Sequence, residues 1–168
     1  MDSRNFETLA DNDEAAIRAI PYALIDAWNH RNGARFAAPF GSAADFVAFE
    51  GTHLRGRQAI AEFHQSLFDT ALKGTRLHGD VRFVHAVAPH VAVMHATAGT
   101  TLTGAAAPSP SRDSMQLFVA VNGPSGWQIE ALLNARRLTL ERQRFLDGFD
   151  ALSEAAQHEV LALIEALK

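Results

Sequence analysis

Gly56-Arg57-Gln58-Ala59-Ile60-Ala61-Glu62-Phe63-His64-Gln65-Ser66-Leu67-Phe68-Asp69-Thr70-Ala71-Leu72-Lys73-Gly74-Thr75-Arg76-Leu77 is the stretch that decides the fold. From about Arg57 to Leu72 the residues Ile60, Phe63, His64, Leu67, Phe68 and Leu72 recur at helical spacing, so one side of a helix is apolar. Lys73-Gly74 ends it, because glycine takes the left-handed backbone that closes helices. Strand-like sequence follows at once. His64 sits among the apolar residues of the helix, and two readings stand open for it. It is either a core histidine satisfied by its surroundings or a pocket group that acts as acid, base or ligand contact.

Outward from this stretch, the chain organises itself by period. Residues up to about Asn12 are polar and read as a loose terminus. Ile17, Ile20, Leu24 and Trp28 then form a helical stripe, with Asp11 or Asn12 as cap, a kink expected at Pro21 and a stop at Asn32-Gly33. A short helical piece over residues 34–40 and a strand over residues 45–50 follow, and residues 51–56 read as a turn or short hairpin. Beyond Arg76, residues 77–88 and 90–103 read as strands joined at Pro89-His90. Residues 104–112 are a loop, residues 113–122 a strand, residues 123–126 a turn and residues 127–137 the last strand. Helical spacing returns over residues 139–168, divided at Gly148. Short connections between strands make neighbours antiparallel. The expected architecture is α+β, with a curved, mainly antiparallel sheet wrapped around the N-terminal helices and an extra C-terminal helical tail. The expected divisions are residues 1–12 as a flexible terminus, 13–137 as the domain and 138–168 as the extension.

Composition narrows the function classes. The 168 residues, 48% hydrophobic and 20% charged, are ordinary for a globular chain with a real core. A net charge of −4 and scattered basic residues argue against nucleic acid as a partner. Cysteine is absent, which excludes disulfides, thiol catalysis and cysteine-held metals and fits a reducing compartment. There is no apolar run of membrane-spanning length and no basic-then-apolar leader, so no membrane association and a cytoplasmic location are expected.

The order and wording of these segments resemble the nuclear transport factor 2-like superfamily, the cystatin-like cone shared with ketosteroid isomerase and SnoaL-like proteins, and most closely its SgcJ/EcaC family. The resemblance is carried by Ala27-Trp28-Asn29, Ala44-Asp45-Phe46-Val47, Gly56 with Ile60, Phe63-His64 and Leu67-Phe68-Asp69, Lys73-Gly74-Thr75-Arg76-Leu77, Val91-Ala92-Val93-Met94-His95-Ala96, and Trp127-x-Ile129-x-Ala131 leading to Asn134-Ala135-Arg136. It covers about Asp13 to Arg137. Arg31-Asn32-Gly33 and Leu133 depart from the family by lacking polar groups that relatives often carry there. The resemblance implies a conical pocket between sheet and helices, but no particular reaction. The superfamily holds isomerases, cyclases, hydrolases and dehydratases alongside binding and adaptor domains.

The candidate chemistry is correspondingly spare. His64 and His95 are the candidate acid or base groups, His95 because it alternates with Val91 and Val93 on a strand side read as buried. Trp28, Phe49, Phe68, Gln116, Phe118 and Asn134 are the candidate substrate contacts. Glu130 is the one carboxylate in mid-strand. Alternation groups Trp127, Ile129, Ala131 and Leu133 on one face and sets Glu130 on the other, as either a solvated residue or a pocket carboxylate. The eight histidines lack the H-x-x-x-H and H-E-x-x-H spacings of helical metal sites, and there is no G-x-S-x-G, G-x-G-x-x-G or P-loop. Neither metal nor cofactor is therefore expected. The expected partners are a small apolar molecule, polyketide-like or aromatic, and a second copy of the chain paired through an apolar sheet face. Cofactor-free isomerisation, cyclisation or dehydration stands beside a non-catalytic accessory role with a self-filled cavity.

Overall fold

In the computed structural model, residues 9–137 and 140–166 are described. They form α1 (Asp11–Asn29), α2 (Gly33–Ala37), β1 (Phe40–Val47), β2 (His53–Arg55), α3 (Arg57–Asp69), β3 (Arg76–Ala88), β4 (Val91–Thr101), β5 (Ser114–Gly123), β6 (Gly126–Arg136), α4 (Leu140–Asp150) and α5 (Glu154–Ala166). A single 3-10 turn at Pro110–Arg112 precedes β5. Two compact units divide at Arg137 and Leu138.

In the first unit, one six-stranded sheet runs in the order β2-β1-β6-β5-β4-β3. Every neighbouring pair is antiparallel except β1 and β6, which are parallel. α1 packs on β3, α2 lies between α1 and α3, and α3 rests on β1. This is the α+β cone expected from the sequence. The apolar side of α3 is as read: Ile60, His64 and Phe68 are buried, and Gly74 closes the following turn at φ 76°.

Two motif words that lie far apart in sequence hold the helices to the sheet. The Trp28 Nε1–H donates to Thr75 Oγ1 at 3.2 Å, and the Thr75 hydroxyl donates to the Leu72 carbonyl at 2.7 Å. The Asn29 amide pairs with the Leu77 backbone in both directions, at 3.1 and 2.9 Å, standing in for a strand partner at the start of β3. Each bond satisfies a group that packing has withdrawn from water.

Several local expectations are corrected. α1 is preceded by Ala10, which offers no side-chain cap; Asp11, Asp13 and Glu14 instead put negative charge at the positive end of the helix. The helix runs unbroken through Pro21 to Asn29. The left-handed residue after it is Arg31, at φ 54°, not Gly33. Asn32 accepts the Arg35 N–H at 2.8 Å and so caps α2. Gly33 is glycine because of crowding: a Cβ there would overlap the Ala61 carbonyl oxygen and Gln65. Its own N–H donates to Gln65 Oε1 at 2.9 Å. β1 begins five residues earlier than read, at Phe40, and ends at Val47.

The largest correction concerns which side of the sheet is inside. On β4 the buried positions are Ala92, Met94, Ala96 and Ala98, while Val91, Val93 and His95 are only half-buried on the outer side. The register carries Ser114, Gln116, Phe118 and Ala120 of β5 onto the same inner face. On β6, Ala120 pairs with Ile129 and Val119 with Ala131, so Glu130 is an extra residue in a bulge. The bulge breaks the alternation expected for this strand. Ile129 and Leu132 are both buried, Leu133 is 45% exposed, and Glu130 is exposed.

In the second unit, Ser153 Oγ accepts the Ala156 N–H at 3.4 Å at the start of α5, and the Gln157 amide donates to the Phe149 carbonyl at 3.0 Å. The break between α4 and α5 lies at residues 151–153 rather than at Gly148, which is inside α4. Among the described residues no helix is long and apolar enough to cross a membrane.

Candidate functional site

A cavity of about 200 Å³ opens between the inner face of the sheet and the helices. Trp28, Phe36, Phe46, Phe49, Phe63, Leu67 and Leu132 are among the apolar residues of its wall. Its polar side chains are few: His64, Thr97, Thr100, Ser114, Gln116 and Asn134, all buried or half-buried, and Glu50 and Arg112 from exposed positions. Gln116 and Asn134 are register partners on β5 and β6, so their amides project side by side. The Arg136 guanidinium lies 4.6 Å from the centre of the Phe49 ring, a cation–π contact that steadies this part of the wall.

His64 is held tightly. Its ring stacks on Phe36 with centres 3.9 Å apart, and meets Phe46 and Phe63 edge-on at 5.0 and 5.4 Å. Nδ1 lies 2.8 Å from the Ile60 carbonyl oxygen, one helical turn back. A carbonyl only accepts, so Nδ1 carries the proton and the neutral ring presents a lone pair at Nε2. Nε2 has no hydrogen bond among the described residues, and the one buried side-chain atom left without a partner there is Asn134 Oδ1. His64 is itself one of the residues that line the cavity. Burial pulls the pKa of His64 from 6.5 down to about 4; the Ile60 carbonyl and the charge of Glu50 favour the protonated ring but do not offset the loss of water. At neutral pH the imidazole is uncharged, an acceptor rather than a donor at its cavity end.

The other sequence-derived candidates separate into two groups. Trp28, Phe49, Gln116 and Asn134 line the cavity with His64. Phe68 and Phe118 do not; each is about fully buried in the core behind it. His95 is not with His64 at all. It lies on the outer face of the sheet, stacked on Phe83 at 4.3 Å, because the alanine side of β4 rather than the valine side faces the helices. Ser114 was within reach of the sequence reading, since it shares the alternation of Gln116 and Phe118. Phe36 carried no comparable signal. Among the described residues, no group of three or more His, Cys, Asp or Glu is placed to hold a metal ion.

No family model and no curated protein matches the sequence. Solved structures do match. A nuclear transport factor 2-like protein with a cystatin-like fold from Novosphingobium aromaticivorans is 16% identical with a TM-score of 0.65, over 80% of this chain and 89% of that one. A ketosteroid isomerase-like protein from Erwinia carotovora atroseptica is 17% identical with a TM-score of 0.62, over 77% of this chain and 100% of that one. At these identities the likeness is one of fold. A domain of unknown function with a cystatin-like fold from Nostoc punctiforme is 53% identical with a TM-score of 0.91, and the match covers 95% of this chain and 98% of that one. The chain belongs to the family of this Nostoc punctiforme cystatin-like domain.

Proposed function

We propose that the protein binds a small, largely apolar molecule in the cavity between the helices and the sheet. The observation that carries this reading is an aromatic and aliphatic wall interrupted by a few convergent polar groups, His64, Gln116 and Asn134 among them, the usual make-up of a small-molecule site. The volume favours a single ring with a short substituent over a fused polyketide-like skeleton. A dry cavity of ~150 Å³ holds benzene, whereas drug-sized pockets run from ~300 Å³ upward. The open cavity disfavours the reading in which the protein's own side chains fill it.

The resemblance to SnoaL-like and SgcJ/EcaC proteins keeps cofactor-free isomerisation, cyclisation or dehydration within this proposal. Recognition comes first in it, because a base with a pKa near 4 is poorly matched to proton abstraction at neutral pH. Native mass spectrometry of freshly purified protein tests binding. The expected result is a retained small molecule that is lost from His64→Ala. A wild-type chain that carries no adduct and binds no member of a library of monocyclic compounds rejects the reading.

A homodimer through the outer sheet face belongs to the same proposal. Phe83, Met115 and Leu133 are more than a third exposed there, beside half-buried Val93, Leu117 and Val119. Apolar exposure of this kind on one sheet face marks an interaction surface.

A further inference from the structure

The inner end of the cavity has a hydrogen-bonding sense of its own. The Ile60 carbonyl fixes the tautomer of His64, a residue of the cavity wall, and leaves Nε2 as a lone-pair acceptor with no hydrogen bond among the described residues. The groups packed around that ring are Phe36, Phe46 and Phe63, which donate nothing, and Trp28, whose N–H is already given to Thr75. On the same cavity wall, Asn134 Oδ1 is buried and accepts from nothing among the described residues. Two acceptors thus stand without donors in an apolar enclosure. An acceptor stripped of water and left unpaired is costly, so a site of this kind favours the molecule that supplies the missing donor.

We infer that the cavity selects a ring compound bearing a neutral hydrogen-bond donor, a hydroxyl or N–H, which it presents to His64 Nε2, and that it discriminates against ligands that turn only an acceptor toward that nitrogen. This deepens the binding proposal and rests on it. A carbonyl, ether or carboxylate in that position meets lone pairs and leaves them unpaired. The site is therefore not built to hold an enolate or other oxyanion at His64, since a neutral imidazole in this tautomer has no proton to offer there.

Phenol, toluene and anisole are the probes, and the wild-type chain and His64→Phe are the proteins. Calorimetric titration is expected to show all three binding the wild-type chain, phenol more tightly than toluene or anisole. In His64→Phe, phenol loses about tenfold in affinity and toluene keeps its own, as expected for one lost hydrogen bond in an apolar site. Phenol binding unchanged in His64→Phe, or anisole binding as well as phenol, overturns the inference while leaving the cavity a binding site. Failure of all three probes on the wild-type chain rejects the binding proposal itself. Should His64→Phe not fold, the wild-type chain still decides. The His64 Nε2 nitrogen resonance must move on phenol binding and not on toluene binding, and equal shifts for both overturn the inference.

Discussion

Lowering the pH should expose His64 as a cost to stability. The folded ring has a pKa of about 4 and the unfolded ring one of 6.5, so between these values the unfolded chain binds more protons. Stability contributed by the neutral buried ring is present above pH 6.5 and is lost as the pH falls toward 4. At pH 7 the folded ring is neutral and the unfolded ring is about one quarter protonated. At pH 4.5 it is about 99% protonated when unfolded and about one quarter protonated when folded, which removes about 2 kcal/mol relative to pH 7. At ~2–4 °C per kcal/mol for a chain of this size, the melting temperature falls by about 4–8 °C from this source alone. Carboxylates also titrate in this range, so the informative quantity is a difference between two proteins. Urea unfolding followed by tryptophan fluorescence, from pH 7 to pH 4.5, should be run on the wild-type chain and on His64→Gln, which cannot titrate. The wild-type chain should lose about 2 kcal/mol more than the variant over that window. Parallel losses would mean that the folded ring takes up its proton as easily as the unfolded one, and would refute a buried, neutral His64. The comparison is of slopes, so a variant less stable at every pH still tests it.

The remaining predictions bear on the frame around the site. Asn29→Ala removes both bonds to the Leu77 backbone and should cost about 1–3 kcal/mol by denaturant unfolding, because Leu77 is left without its partner. Gly33→Ala drives a Cβ into the Ala61 carbonyl and should destabilise by about 2 kcal/mol or more, whereas the same change at exposed Gly123, where a Cβ meets nothing, should cost far less. Met115→Glu with Leu133→Glu should convert a dimer into a monomer by sedimentation velocity; a wild-type chain that is already monomeric at micromolar concentration would remove the sheet-face interface.

How much of this was legible in the sequence depended on whether neighbours in sequence were also neighbours in space. The helix bearing His64 was legible because its apolar period, its glycine stop and the change of period at Arg76 agree with one another. The inner face of the sheet was not. In Val91-Ala92-Val93-Met94-His95-Ala96 both alternating sets are largely apolar, and the two valines lie outside while Ala92, Met94 and Ala96 lie inside. Small side chains line the inner face where sheet and helices approach closely, so size misled where polarity gave no signal. On the last strand, alternation failed at Glu130 because one bulged residue shifts every position after it to the opposite face. The pairing of His64 with Phe36 and Phe46 depends on three separate elements and left no trace in spacing. Trp28, Phe49, Gln116 and Asn134 were reachable from residue type and from their places in the resembling segments and strands.

A crystal structure of the protein purified from the cells that produce it, without added ligand, tests the central claim most directly. The expected result is density for a small ring compound in the cavity, in contact with Phe36, Phe46 and Leu132, with a donor atom within hydrogen-bond distance of His64 Nε2. A cavity closed by Phe49, Phe63 or Leu132, with His64 Nε2 bonded to another protein group, would contradict it.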